Sequence, residues 1–189
     1  MTIKSPVLNS RLAESTSPKG ELSARSDFIV SAPATWFLVA INVAVFVWLS
    51  THRAPSASPH ALGQYGANWG FQTLSGQWWR LLTSLFIHTE TGHLLLNVTG
   101  LVLFGRRVEK ISGLYGFALL YFASGLAGGI SLIAFRPDAA GYGASLSVLG
   151  LLGGLIGYYS VQVVILSNKA RWKLAALLAI AVISVWDDI

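Results

Sequence analysis

The sequence has no cysteine, which excludes disulfide staples and thiol chemistry and leaves the redox compartment open. Charge is also scarce. Only 11% of the 189 residues are Asp, Glu, Lys or Arg, whereas soluble domains carry about a quarter. Together with 53% hydrophobic residues, this composition describes an integral membrane protein, long enough for one domain. Histidines are few: His52, His60, His88 and His93. A catalytic zinc site needs three protein ligands and only two of these lie near each other, so neither metal nor cofactor is expected. No basic stripe interleaves with exposed aromatics, so the net charge of +5 points to membrane topology rather than nucleic acid. No span carries paired ionisable residues along a path, which argues against a transporter. No internal repeat is evident.

Residues 1–32 are polar and Ser-rich, with Pro6 and Pro18 and mixed charges. They lack the apolar core of a cleaved signal and read as a disordered cytoplasmic tail ahead of a membrane domain at 33–189. The fold class expected for that domain is all-α, a polytopic bundle of membrane helices. Helix 1 covers 35–49, apolar but for Asn42, with Trp36 and Trp48 placed for an interfacial aromatic belt. A long connection, 51–77, then holds Tyr65, Trp69 and Phe71 and runs into Trp78, Trp79 and Arg80. It is expected to lie in the membrane interface without strong regular structure. Helix 2 is placed at 92–105, closed by Arg106, Arg107, Glu109 and Lys110. Helix 3 covers 113–135, helix 4 covers 143–164 and helix 5 covers 174–186. Gly125 with Gly129, Gly150 with Gly154, and Gly153 with Gly157 are each four apart, a spacing that lets helices approach backbone to backbone.

Basic residues orient this arrangement. The N-terminal tail, the group Arg106, Arg107 and Lys110, and the group Lys169, Arg171 and Lys173 all fall on one side if the chain crosses five times. By the positive-inside rule that side is cytoplasmic. Ser145 then enters helix 4 from the outer side, and His93 and Asn97, four apart on one helix face, sit near the outer end of helix 2. Polar groups at membrane depth usually face a cavity or a partner.

What could this set do? A serine becomes a nucleophile when a base takes its proton and donors hold the oxyanion. Asn97, the His93 imidazole and the backbone N–H of Ser145 at a helix start are candidate donors. Acyl transfer uses such parts; proton relay and metal binding compete for them. The plainer reading of the serine is a small residue in a glycine-rich packing helix. The plainer reading of His88 is a structural hydrogen bond under the loop.

The sequence resembles the rhomboid family of intramembrane serine proteases over about 33–186. The resemblance is carried by the lead-in Gly66-Ala67-Asn68 and Leu74-Ser75-Gly76-Gln77-Trp78-Trp79-Arg80, by the histidines and asparagine at 88, 93 and 97, by Val108-Glu109-Lys110, and by Gly143-Ala144-Ser145 ahead of spaced glycines. It implies a six-helix core, of which five are expected here, and a serine–histidine dyad with no third acid. Ser145 would be the nucleophile, with His93, Asn97 and the Ser145 amide as the oxyanion site. His88, Arg80, Glu109 and Gly143 would support the site. Substrates would be single-pass transmembrane proteins cut within the bilayer, and the location a bacterial inner membrane with the N-terminus cytoplasmic.

Two departures stand out. The family has glycine after the nucleophile, where this chain has Leu146, and its base is a histidine on helix 6, whereas no histidine follows His93 here. The expectation is a rhomboid-type endopeptidase carried by a truncated chain. The alternative is a catalytically inactive relative that binds membrane helices.

Overall fold

The computed structural model describes residues 32–52, 59–165 and 176. The expected tail, the basic segment at 169–173 and helix 5 at 174–186 lie outside the described residues, Ala176 excepted. The chain divides into Met1–Pro33 and Ala34–Ile189, and the second unit is the subject below.

Helix α1, Pro33–Thr51, has 19 residues, about 28 Å at 1.5 Å per residue, close to the thickness of a hydrocarbon core. Its first turn carries backbone N–H groups that no helical carbonyl can reach. Glu109 supplies the acceptors. Its carboxylate takes hydrogen bonds from Ala34 N at 2.9 Å, Thr35 N at 2.8 Å and Thr35 Oγ1 at 2.7 Å. A buried negative charge at a helix N-terminus also complements the helix dipole.

The connection after α1 is more ordered than the sequence suggests. It contains α2 (Pro59–Gln64), β1 (Asn68–Trp69), α3 (Gly70–Leu74), α4 (Arg80–Thr83) and a 3₁₀ turn (Ser84–Phe86). Leu49, Leu62, Ala67 and Ile87 give it a small core of its own. Arg80 is buried and donates to Gln77 Oε1 at 2.7 Å, to Ala67 O at 3.2 Å and to Gly63 O. Asn68 donates to Gly129 O at 3.0 Å and accepts from Thr73 Oγ1 at 2.9 Å. Phe71, Leu74, Trp78 and Trp79 project outward, as an element seated in a membrane interface requires.

The next apolar stretch, Thr91–Phe135, is 45 residues long, about 68 Å if straight and too long for one crossing. It comprises α5 (Thr91–Gly100), a π-helical turn (Leu101–Gly105) and α6 (Arg106–Phe135). Gly113 breaks it, with φ 71° and ψ −179°, a conformation that only glycine adopts readily. The chain doubles back there. A methyl placed on Gly105 would lie 3.2 Å from the Phe117 ring, although twelve residues of straight helix would separate them by about 18 Å. The sequence reading ended helix 2 at 105. The helix in fact continues to the break at Gly113, and the basic cluster rides on it instead of closing it.

A two-residue strand, β2 (Ala140–Gly141), pairs antiparallel with β1, Asn68 opposite Gly141 and Trp69 opposite Ala140. Helix α7, Ser145–Ile165, follows. It packs antiparallel on the second limb of α6: Leu146 meets Gly128, Ser147 meets Gly125, Gly150 meets Ser124 and Gly154 meets Leu120. Glycine on alternate sides of the seam lets each opposing side chain sink in. Gly153 and Gly157 share the spacing but have nothing within 4 Å among the described residues. Three apolar stretches thus have membrane-crossing length, and the protein is an integral membrane protein.

Glu109→Ala would orphan three donors at the start of α1. It is expected to lower unfolding free energy in micelles by about 2–4 kcal/mol, and Glu109→Gln by less, since one amide oxygen still accepts. Equal stability of the alanine variant and the parent would contradict this role.

Candidate active site

Ser145 is the first residue of α7 and half-buried. Its position is set by the two residues before it. Gly143 has φ +97°, a left-handed turn that aims the chain into the helix. Its N–H donates to Ser84 O at 2.8 Å. The Ala144 N–H donates to Nε2 of His88 at 3.4 Å. These two amides are thus occupied from the 3₁₀ turn and the segment after it. The Ser145 N–H, as the first of its helix, has no intrahelical carbonyl to bind. The Ser145 hydroxyl has no hydrogen-bond partner among the described residues.

His93 lies against this turn. A methyl on Gly143 would come within 2.5 Å of its Cε1 and 2.7 Å of its Nε2, so only glycine leaves room for the imidazole. The ring also meets Tyr142 edge-on at 5.9 Å and His88 at 5.0 Å. About two turns further along α5, Gly100 receives Val148, whose Cγ1 would be 2.5 Å from a methyl there. The contacts at 93 with 143 and at 100 with 148 run in the same direction, so α5 and α7 are parallel. Asn97 lies between them on the same face, level with the first turn of α7, and is buried. Its Nδ2 donates to His93 O at 2.9 Å. An amide nitrogen carries two hydrogens, so a second remains to be given.

His88 is fully buried. Since Nε2 accepts from Ala144, the proton sits on Nδ1, which faces Phe86 O at 3.4 Å. Burial, reinforced by the neighbouring His93, pushes His88 down from 6.5 to about 4. It is thus a neutral hydrogen-bonding post beneath the Ser145 turn. Arg80 and Glu109 hold the loop and α1 in place and do not reach the serine turn in any hydrogen bond among the described residues. Leu146 leans across Gly128 of α6 and stays 42% exposed, so the helix turns its side chain toward the α6 seam. Among the described residues no cluster of His, Cys, Asp or Glu could hold a metal ion.

The sequence reading missed two contributors. The Ser84 carbonyl acts through the main chain, which no residue type announces. Tyr142 precedes the turn as an aromatic beside small residues, a signal that could have been read.

A family model, the rhomboid domain, matches residues 75–188, more than half of the chain. Among curated proteins the chain is similar to rhomboid protease GluP of Bacillus subtilis, 33% identical over 122 residues, covering 65% of this chain and 24% of that protein. It is similar to putative rhomboid protease YdcA of the same organism, 27% identical over 157 residues, covering 82% of this chain and 77% of that one. RHOMBOID-like protein 6, mitochondrial, of Arabidopsis thaliana is 31% identical over 129 residues, covering 68% of this chain and 41% of that protein. The matched part thus spans less than half of two of these three relatives.

A histidine whose folded value lies below its unfolded one stabilises the fold above the unfolded value. That stability is lost as protons bind between about 6.5 and about 4, because a protonated Nε2 cannot accept from Ala144. His88→Gln is therefore expected to flatten this part of the stability–pH curve, measured as Tm in micelles. An acid limb unchanged in the variant would assign it to other groups.

Proposed function

The chain belongs to the rhomboid family, and on that premise we propose that it acts as an intramembrane serine endopeptidase whose nucleophile is Ser145. The observation that carries the reading is His93 packed on the turn at Gly143, with buried Asn97 one turn along the same face of α5 and the Ser145 amide unengaged at the start of α7. The Ser145 oxygen attacks a peptide carbonyl in a client's transmembrane segment. Its proton passes to a base while the carbonyl oxygen becomes an oxyanion. In this reading the Ser145 N–H, the spare Asn97 hydrogen and the His93 imidazole donate to that oxyanion. The tetrahedral species expels the amine as it takes the proton, leaving an acyl-serine that water hydrolyses. Each such donor contributes about 10²–10³ in rate.

The resemblance assigns the base to a histidine on a sixth helix, and within these 189 residues no histidine lies beyond His93. The reading concerns the nucleophile and oxyanion site. The 189-residue polypeptide by itself is expected to react slowly, because loss of a dyad partner costs several orders of magnitude. His88, Arg80, Glu109 and Gly143 act by positioning. Clients are single-pass membrane proteins, and the outer side of a bacterial inner membrane is the face that admits them and water.

One observation favours a second reading, a non-cleaving relative that binds membrane helices. Leu146 stands where the family has glycine and, although its side chain packs on Gly128, it remains partly exposed one residue from the serine.

A serine-directed phosphonate separates the two. Labelling is expected at Ser145 alone, absent in Ser145→Ala, and slowed about 10²-fold in Asn97→Ala. Without a built-in base its rate should climb in proportion to hydroxide across neutral pH. A plateau near the ordinary histidine value would instead make His93 the base. No adduct at Ser145 in folded protein would leave the helix-binding reading.

A further inference from the structure

Between the two limbs of α6 and the later turns of α7 the bundle leaves a cavity of about 180 Å³. Val108 and Ile111 of the first limb, Leu120 of the second and Leu155 of α7 line it, and its exposed lining is almost entirely apolar. The Ser112 hydroxyl on its wall already donates to Val108 O at 2.8 Å. Such a space offers water too few partners, and an apolar cavity of about 150 Å³ stays dry and takes an apolar guest. The cavity opens beside Ile111 and Tyr158, which are 43% and 39% exposed. Tyr158 lies thirteen residues beyond Ser145, about 20 Å along α7. In a hydrocarbon core about 30 Å thick, the opening is therefore in the leaflet remote from the serine turn.

Positive charge stands at the same end. Arg107 precedes Ile111 by four residues and shares its helix face, and Lys110 is the residue before Ile111. Both are exposed, and neither makes an ion pair among the described residues. Glu109, the nearest carboxylate in sequence, is committed to the first turn of α1. Lys110 lies nineteen residues beyond Thr91, the start of α5, about 28 Å along the descending limb and so near the depth of the headgroups. An apolar slot with two cations at its rim suits a molecule with an apolar chain and an anionic head. We propose that the cavity binds an anionic glycerophospholipid of that leaflet, one acyl chain lying between α6 and α7 and the phosphate facing Arg107 and Lys110. The segment that follows α7 is a poorer occupant, because it brings Lys169, Arg171 and Lys173, of the same sign as the rim. The proposal holds whether or not Ser145 reacts.

Photolabelling of the full 189-residue chain in phosphatidylcholine nanodiscs tests it. The probe is a trace of phosphatidylglycerol with a diazirine on one acyl chain, and adducts are located by mass spectrometry. Ile111, Leu120 and Tyr158 are expected to be labelled more than Leu96 and Leu119, which are 75% and 72% exposed and meet bulk lipid. The same diazirine on phosphatidylcholine should label the three cavity residues about fivefold less, the gain that one basic residue gives near an anionic lipid. Arg107→Gln with Lys110→Gln should remove that difference. Labelling that follows exposure alone, or equal yields from the two lipids in the parent, would overturn the proposal, as would a preference that survives the double variant. Cavity residues left unlabelled would overturn it too, whether a second copy or residues 166–189 cover them.

Discussion

The contact between the second limb of α6 and α7 is what the rest of the bundle hangs on. Lipid tails are as apolar as leucine, so membrane helices gain little from burying leucine against leucine and must gain instead from close packing. Here closeness comes from glycine on both sides of one seam. Gly125 and Gly128 on α6 take the Ser147 and Leu146 side chains, while Gly150 and Gly154 on α7 take Ser124 and Leu120. This interlock fixes both the depth and the rotation of α7. With rotation fixed, Ser147 faces the core, Leu146 faces the seam, and Ser145 is left at the turn beside His93.

Polar groups then carry the fold where hydrophobic contrast is weak. Glu109 caps α1, Arg80 gathers the carbonyls of the connection, Asn68 ties that connection to Gly129, and His88 takes the Ala144 amide. In each case a side chain satisfies backbone groups that hydrocarbon would leave bare. The groups proposed to act on a client differ in kind. Ser145, half-buried, keeps its hydroxyl and amide unengaged, and Asn97 retains a hydrogen beyond the one it gives to His93. Support is spent where the chain must hold still, and donor capacity is left at one turn.

The spans at 35–49 and 113–135 were legible from hydropathy, and counting residues into two helices that start on the same side pointed to the meeting of His93 with the turn at Gly143. Other features were not legible, for definite physical reasons. Helices of four to six residues such as α2, α3 and α4 are too short to show a period. The β1–β2 pair joins Asn68 to Gly141, a non-local match that no window detects. The donors to Glu109 lie more than seventy positions away. Gly150/Gly154 and Gly153/Gly157 carry the same spacing, yet only the first pair meets α6, because facing depends on rotation and not on spacing.

The absence of native cysteine allows a direct test of whether the serine and the imidazole of α5 share one pocket. His93→Cys with Ser145→Cys, treated with dibromobimane, should give the fluorescent bridged product, as should the control pair His93→Cys with Tyr142→Cys, whose native rings lie 5.9 Å apart. A bridged control beside an unbridged 93–145 pair would contradict the arrangement, and with it the proposed chemistry at Ser145.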